Sequence, residues 1–425
     1  LVGGIQTSFG AGGILATALG KAPGLTAGLI TAGLAGKFLF TEAKNIAIIA
    51  AGTALGNNPL AKSIGGLKTL GAKGMGPVGK GLGILGGGQL GKMIASTASR
   101  LGIKTFVYDP NKISPAFQNA NKAYVAKFDN KKSLKKFAQD VDFITYEFEN
   151  IPLDSLRYLN KYRKIFPGIN ALKYSQDRYY EKKFIKKLGI EVAPFCKVAK
   201  EKDISLFMKN IGGNCILKTR KLGYDGKGQH VFRNYKINLD KKNIKENQFI
   251  LEGFIKFKKE ISVIVIRTRE GKVSCYEPSE NIHKDGILRE TFFPAKISEK
   301  CIIQSKKIAK KIAVSLNVVG LIAIEMFVLD DYKIIVNEIA PRPHNSGHWT
   351  MDACNLSQFE ALVRVIFKID LPKIKYYHKC KMINILGENY EQFFQSLGKA
   401  KHKIHIYGKN KIRPKRKMGH VNIID

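Results

Sequence analysis

Acidic residues are scarce in this chain: 34 Asp and Glu stand against 71 Lys and Arg, a formal net charge of +37. Such an imbalance raises the question of a nucleic-acid partner, because phosphate backbones reward Lys and Arg. The lysines, however, come in short runs (KKSLKKF, EKKFIKKLG, KKIAKKIA) spread along the chain, and form no stripe interleaved with aromatics. Solvated helix faces account for that pattern better, so no nucleic-acid partner is expected. The surplus would still concentrate small anionic substrates. Cysteine is sparse too. Cys196, Cys215, Cys275, Cys301, Cys354 and Cys380 include no CxxC pair, which argues against a zinc or disulfide scaffold and for reduced thiols in a cytoplasmic protein. No apolar run approaches the roughly 18–20 residues of a spanning helix; the one at residues 7–20 is stopped by Lys21 and Pro23. Also missing are an HExxH helix, a Ser/His/Asp constellation and the GK[ST] of a P-loop.

Residues 1–80 differ in kind from the rest of the chain. They are rich in Gly, Ala and Leu, carry seven lysines and one acid (Glu42), and lack arginine. Neither a secretory n-region nor the arginine of a transit peptide is present. A flexible or weakly membrane-associating extension, a fused fragment and an artefact of gene boundaries are all open readings of this segment.

From Gly81 the pattern is α/β. The strand GLGILG leads into a helix from Gln89, and KTFVYD and VDFITYEF follow as strands separated by the helix SLKKFAQD. This alternation implies a parallel sheet with right-handed crossovers. The stretch GILGGGQLGKM, with Gly86, Gly88 and Gly91 at GxGxxG spacing and Asp109 ending the next strand, is the outline of a dinucleotide-binding turn. Its helix start is expected to leave backbone N–H groups free for a phosphate. Nothing after Asp109 continues as a dinucleotide domain, so hydride transfer loses support. Beyond about Ser175 come a helix, a strand-rich region to about Ile297, a helix from Cys301 and two strands, LIAIEMFVL and YKIIVNEIA, joined at residues 330–331. The chain ends inside what reads as a strand, and a few further residues are expected there.

Five clusters carry chemistry. In ILKTRKLGYDGKGQ a strand delivers Lys218 to a loop with Gly223, Gly226 and Gly228, whose backbone can approach phosphates closely while the lysine adds charge; a plain hairpin with a mobile turn is the alternative. In FILEGFIKFKKEISV, the backbone from Glu252 through Gly253 and Phe254 to Ile255 can pair with an adenine edge, and Glu260 can hold ribose hydroxyls; two rim carboxylates of a hairpin fit equally. Glu325 and Glu338 each interrupt an apolar strand, and the turn between the strands makes them antiparallel neighbours, so the acids can converge on one face. Two inward acids repel unless a cation compensates them, and oxygen-only ligands suggest Mg²⁺ bridging to nucleotide phosphates. A structural salt bridge to lysine is the alternative. Asn337 adds an oxygen donor, although strict alternation starts its side chain toward the opposite face. Directly after the second acid, APRPHNSGHW crowds Arg342, His344, Asn345, Ser346 and His348 into one loop, which suits a substrate. Near the end, Lys409, Arg413, Arg416 and Lys417 offer a phosphate clamp or a solvated tail. Two acids, a lysine and a glycine loop favour phosphoryl transfer from ATP.

The motifs GILGGGQLGKM, ITYEFENIP, QDRYYEKKFIKKLGIEVAPF, LKTRKLGYDGKGQ, ENIHKDGILRET, VNEIAPRPHNSGHWT, SQFE and RPKRKMGH occur here in one order. From Gly81 to the end the chain resembles the ATP-grasp family of N5-carboxyaminoimidazole ribonucleotide synthetases. The resemblance implies a mixed α/β and α+β fold: a Rossmann-like, biotin-carboxylase-like pre-ATP-grasp domain over 81–177, an ATP-grasp domain over 178–370 and a β-rich C-terminal module over 371–425, with 1–80 as an extra extension. It implies that ATP phosphorylates bicarbonate to carboxyphosphate, which carboxylates 5-aminoimidazole ribonucleotide in purine biosynthesis. Arg178 and Lys218 would then contact ATP phosphates, covered by Gly223, Tyr224, Asp225, Gly226, Lys227, Gly228 and Gln229. Glu252 to Ile255, Glu260, His283 and Asn337 would surround the nucleotide. Glu325 and Glu338 would hold Mg²⁺, two ions in all. Arg342, His344 and Asn345, with Lys218, would serve the chemistry. Gln89, Leu90, Tyr224, Lys409 and Arg416 would bind the ribonucleotide, and a homodimer is implied. Another ATP-grasp ligase, such as a formate-dependent glycinamide ribonucleotide transformylase, is the nearest rival; an RNA- or membrane-binding protein on a degenerate ATP-grasp scaffold is the more distant one.

Overall fold

The structure is a computed structural model that describes residues 79, 81–223, 228–235, 248–329, 333–394 and 398–425. The extension at 1–80 (residue 79 apart), the loop residues Tyr224, Asp225, Gly226 and Lys227, and the turn at 330–332 lie outside the described residues. No helix among the described residues is long and apolar enough to cross a membrane.

Short apolar strands build a five-stranded parallel sheet from Leu82–Leu85, Thr105–Tyr108, Lys122–Tyr124, Phe143–Tyr146 and Ile165–Phe166. Their spatial order is third, second, first, fourth, fifth, so the glycine-rich turn after Leu85 sits at the point where the strand order reverses, the usual ligand crevice of such sheets. The helix Gln89–Arg100 buries Leu90, Met93, Ile94 and Ala98 against the helix Gln358–Phe367, in an apolar cluster that also takes in Ile264, Leu321 and Trp349.

Two further sheets form a pair of lobes. The smaller is antiparallel, made of Phe195–Val198, Phe249–Gly253, Cys215–Thr219 and Gln229–Phe232 in that spatial order, and closed on one face by the helix Glu201–Ile211 through Ile204 and Met208. The larger has nine strands. Lys259–Arg267, Gly320–Val328 and Ile334–Ala340 lie side by side at one end. Cys380–Leu386, Lys417–Ile424 and His402–Ile406 extend the other end through Ile287–Phe293. The C-terminal module is thus continuous with the large sheet, a pairing across nearly a hundred residues of sequence that no local pattern announces.

The lysine runs fall where amphipathicity puts them. On the helix Glu299–Ser315 the buried residues are Cys301, Ser305, Ala309, Ile312 and Ala313, spaced three or four apart, while Lys307, Lys310 and Lys311 are exposed. Lys131, Lys132, Lys135 and Lys136 are exposed on the helix Lys131–Asp140 in the same way. One lysine breaks the pattern: on the helix Arg178–Lys187, Lys182 is 1% exposed although Lys183, Lys186 and Lys187 face solvent.

Candidate active site

Three glycine amides of the turn are not free as expected. Gly87 N–H donates to Asp109 Oδ2 at 2.7 Å, and the Gly88 and Gly91 N–H groups donate to the Glu147 carboxylate at 2.7 and 3.0 Å. Burial raises the Glu147 carboxyl above its ordinary value in spite of these donors. A carboxylate from the neighbouring strand end therefore occupies the anion position at this helix start, a substitution invisible in the turn itself. Gly86 explains the turn's tightness: its φ is +100°, and a Cβ there would lie 2.5 Å from Glu147 Cγ. Leu90 points its side chain into the core. Gln89 instead reaches the C-terminal module, where Lys409 Nζ donates to its Oε1 at 2.5 Å. Arg416, half-buried, donates to the Lys411 carbonyl at 2.7 Å.

On the small sheet, Lys218 comes off the strand Cys215–Thr219 and meets Glu252 at 2.9 Å. Glu252 is 3% exposed and also lies 3.3 Å from Lys182. Burial alone would raise its carboxyl, but the two ammonium groups hold it down at about 2. The Glu252 side chain thus turns to the lysines; Gly253 continues the strand, and Phe254 is exposed beside Arg233, whose guanidinium carbon is 5.8 Å from the ring centroid. Arg178 donates to the carbonyls of Thr219 and Gly223 at 3.2 and 3.1 Å, so it stands at the root of the glycine loop. Gly228, at φ +70°, brings the loop back so closely that a Cβ would lie 2.8 Å from Thr219. Gln229 opens the returning strand, exposed.

The acids meet on the large sheet. Glu325 and Glu338 are direct partners in the antiparallel register. The pairing then skips from Glu338 to Val336, so Asn337 is a bulge residue, and the strict alternation that would send its side chain to the opposite face does not hold here. Glu260 and His283 enter from the next two strands, with His283 Nδ1 2.8 Å from Glu260 Oε2. Glu260, His283 and Glu325 present ligand atoms within 4.8 Å of one another. Burial first, then Glu338 and Glu260, push the Glu325 carboxyl up to about 8. Burial would lower the His283 imidazole, yet the Glu260 hydrogen bond and the Glu325 and Glu338 charges raise it to about 9. Crowded carboxylates that can ionise together only beside a cation are a hard-oxygen donor set, and that fits Mg²⁺.

The loop after Ala340 closes the site. Arg342 Nε lies 2.8 Å from Glu149, at the end of the parallel sheet. His344 Nε2 is 3.4 Å from Glu325 Oε1. Burial, then Arg342 and Lys417, keep the imidazole well below its ordinary value, so this is the contact of a neutral imidazole and not an ion pair. Ser262 Oγ donates to Ser346 Oγ at 2.7 Å, and Ser346 Oγ lies 2.8 Å from His344 Nδ1, which leaves Nε2 to carry the proton toward Glu325. Gln358 clamps the same residue from below: its Oε1 accepts from His344 N–H at 2.8 Å, and its Nε2 donates to His344 O at 2.7 Å. Asn345 is 8% exposed, yet neither its amide nitrogen nor its amide oxygen has a partner. His348, grouped with the substrate loop by sequence, is fully buried and stacks on His420 at 4.5 Å.

Glu147, Glu149, Glu181, Lys182 and Gln358 were not recognisable as site residues in the sequence. Glu147 and Glu149 do belong to the motif ITYEFENIP, and Glu181 and Lys182 to QDRYYEKKFIKKLGIEVAPF, but only tertiary contact shows what they touch. A Rossmann-like sheet, two lobes meeting at a buried lysine–carboxylate cluster and a paired-acid strand couple define an ATP-grasp ligase. Residues 79–176 match the ribonucleotide synthetase preATP-grasp domain family, residues 183–359 the ATP-grasp domain family and residues 380–425 the phosphoribosylaminoimidazole carboxylase C-terminal domain family. The N5-carboxyaminoimidazole ribonucleotide synthase of Brucella melitensis is 41% identical over 350 residues, covering 81% of this chain and 96% of that one. The Bacillus subtilis synthase is 39% identical over 347 residues, covering 81% and 91%. The chain belongs to the N5-carboxyaminoimidazole ribonucleotide synthase family. Among solved structures, Staphylococcus aureus N5-carboxyaminoimidazole synthetase complexed with ADP superposes with a TM-score of 0.77 at 36% identity, over 81% of this chain and 92% of that one. The Aspergillus clavatus synthase in complex with ADP and 5-aminoimidazole ribonucleotide gives 0.73 at 27% identity, over 81% and 93%.

Proposed function

We propose that this chain is the ligase its family defines, acting with bicarbonate as carbon source and Mg²⁺ as cofactor. It carboxylates 5-aminoimidazole ribonucleotide to the N5-carboxyamino product at the expense of ATP, in purine biosynthesis. Lys218 and Arg178 hold the nucleotide phosphates, and the loop from Gly223 to Gln229, including Tyr224, Asp225, Gly226 and Lys227, covers them. The backbone from Glu252 to Ile255 serves the adenine and Glu260 the ribose; the Glu252 side chain works by holding Lys218. Mg²⁺, held by Glu325 and Glu338 with Glu260, His283 and Asn337 around them, would offset charge on the transferring phosphoryl group.

Bicarbonate oxygen takes the γ-phosphoryl group, giving carboxyphosphate and ADP. The ribonucleotide's exocyclic amine then bonds to the carboxyl carbon, directly or after release of CO₂, and inorganic phosphate leaves. Carboxyphosphate is short-lived in water, so the site has to exclude solvent before transfer. Arg342 and neutral His344 orient the anionic reactants, and the unpartnered amide of Asn345 supplies a donor and an acceptor beside them. That buried, unsatisfied amide, next in sequence to the histidine that touches Glu325, is the observation that carries the reading, because buried polar groups otherwise find partners. Gln89, the first-turn N–H of Leu90, Lys409 and Arg416 grip the ribonucleotide, and Lys409 already reaches Gln89. The enzyme works as a cytoplasmic homodimer in this proposal. The test is ADP release with bicarbonate and Mg²⁺, with and without 5-aminoimidazole ribonucleotide. Stimulation by the ribonucleotide is expected; its absence, or stimulation by formate with glycinamide ribonucleotide instead, overturns the assignment.

A further inference from the structure

Lys182 is the single lysine of its run that the fold takes inside. It sits with Glu181 on the helix Arg178–Lys187, between the small sheet and the edge strand Ile334–Ala340 of the large one. Both residues are almost fully buried, at 2% and 1% exposed. Burying an ammonium group is costly unless it is paired and hydrogen-bonded. The partners reveal a pattern. Lys182 Nζ donates to the backbone carbonyl of Asn337 at 3.0 Å, and Glu181 Oε1 accepts from the backbone N–H of Ile339 at 2.6 Å. The two residues between which Glu338 lies are therefore tied, one by each member of the pair, to the same helix turn.

The bulge explains why such ties are required. With Glu338 opposite Glu325 and Val336 opposite Met326, Asn337 has no cross-strand partner. An edge strand interrupted at this point would otherwise leave backbone groups unsatisfied and Glu338 free to shift. From the other side, Lys182 meets Glu252 at 3.3 Å, and Glu252 meets Lys218 at 2.9 Å. One ammonium group thus touches both the carboxylate that holds the phosphate lysine and the backbone that carries a metal carboxylate.

We propose that Glu181 and Lys182 are positioning residues that couple the nucleotide-phosphate site to the Mg²⁺ site, through Glu252–Lys218 on one lobe and the Asn337–Glu338–Ile339 backbone on the other. The proposal rests on the ATP-grasp reading of the site. With Lys182 in place, Glu252 is shared between two ammonium groups and Lys218 can turn toward phosphate without leaving a buried carboxylate unpaired. Without it, Lys218 is drawn back onto Glu252, and Glu338 loses a fixed position. Mg²⁺ and nucleotide then cease to favour each other, since coupling between two sites is a free energy that both must share.

The experiment uses the full chain and measures ADP affinity by calorimetry with and without MgCl₂, thermal denaturation, and kcat and KM for ATP. Wild type is expected to bind ADP more tightly with Mg²⁺. In Lys182→Met the ratio of affinities with and without Mg²⁺ falls about tenfold or more, and KM for ATP rises by a similar factor. Lys182→Arg, which keeps the charge, recovers part of both. Lys182→Met combined with Glu252→Gln removes both buried charges, so it keeps the fold while the link to Asn337 stays broken; its Mg²⁺ ratio remains low. Loss of thermal stability with a wild-type Mg²⁺ ratio in either variant overturns the proposal, because the lysine would then only support the fold. Failure of wild type to respond to 5-aminoimidazole ribonucleotide would refute the substrate assignment instead, and leaves the calorimetric ratio untouched.

Discussion

Asn345 and Glu338 separate two kinds of functional side chain at the residue scale. The Asn345 amide makes no hydrogen bond within the protein, so its removal forfeits none. Asn345→Leu is expected to stay within about 1 kcal/mol of wild type in urea denaturation, or to gain stability, while stimulation of ADP release by the ribonucleotide falls about a hundredfold. A large loss of stability would show that the amide has a structural partner. Glu338→Gln keeps shape and removes charge opposite Glu325. ADP release dependent on bicarbonate and ribonucleotide should fall by about 10² to 10³ with an unchanged circular dichroism spectrum; near-normal turnover would sink the metal assignment. Acids inside apolar strands stand out in a sequence because nothing in strand chemistry calls for them. Lys182 does not, because a lysine beside lysines on a helix reads as solvated, and only the approach of two sheets buries it.

At the scale of elements, strands and helices followed their periodicities, while their irregularities did not. The antiparallel pairing of Gly320–Val328 with Ile334–Ala340 was legible from two apolar runs and a short turn; the bulge at Asn337 was not, since it answers to the helix packed on that edge. The glycine-rich turn is the sharpest case. Its sequence matches an anion-binding helix start, yet Glu147 accepts the amides of Gly88 and Gly91. Gly86 is tied to the same contact, with φ +100° and Glu147 Cγ 2.5 Å from a would-be Cβ. Gly86→Ala is therefore expected to cost about 2–4 kcal/mol, read as a lower urea midpoint at unchanged slope. A loss below about 0.5 kcal/mol would mean that the turn relaxes freely.

Across the whole molecule, the C-terminal strands complete the sheet that carries the site and bury a histidine stack in doing so. His420 stacks on His348 and on His405, each at 4.5 Å, and its Nδ1 is 2.9 Å from Tyr407 Oη. Burial, then the neighbouring histidines, hold His420 well below its ordinary value. Linkage gives the sign: the unfolded chain takes up a proton below about pH 6.5 that the native state refuses, so this contribution is complete above that pH and lost as pH falls. Glu325 and Glu181, raised to about 8, act oppositely in the acid range, so the useful quantity is a difference between variants. His420→Gln should be less stable than wild type at pH 7.5, by about 1 kcal/mol for the Tyr407 bond. Its deficit should shrink by up to about 1.4 kcal/mol per pH unit below 6.5. A deficit that stays constant from pH 7.5 to 5.5 would show that His420 takes up its proton in the folded protein as readily as in the unfolded chain.

Sequence alone determined the classes of chemistry and the local elements: acids in strands, a lysine ahead of a glycine loop, a polar loop after the second acid, and the order of motifs that marks the family. Those features are encoded within a few residues of one another, where backbone geometry and side-chain type suffice. Tertiary structure decided which charges are inside. Glu147 at the helix start, Lys182 between the lobes and His420 against His348 each depend on partners far away in the chain. Burial and pairing are properties of the assembled sheets, and a charge taken out of water is tolerated only where the fold supplies its partner.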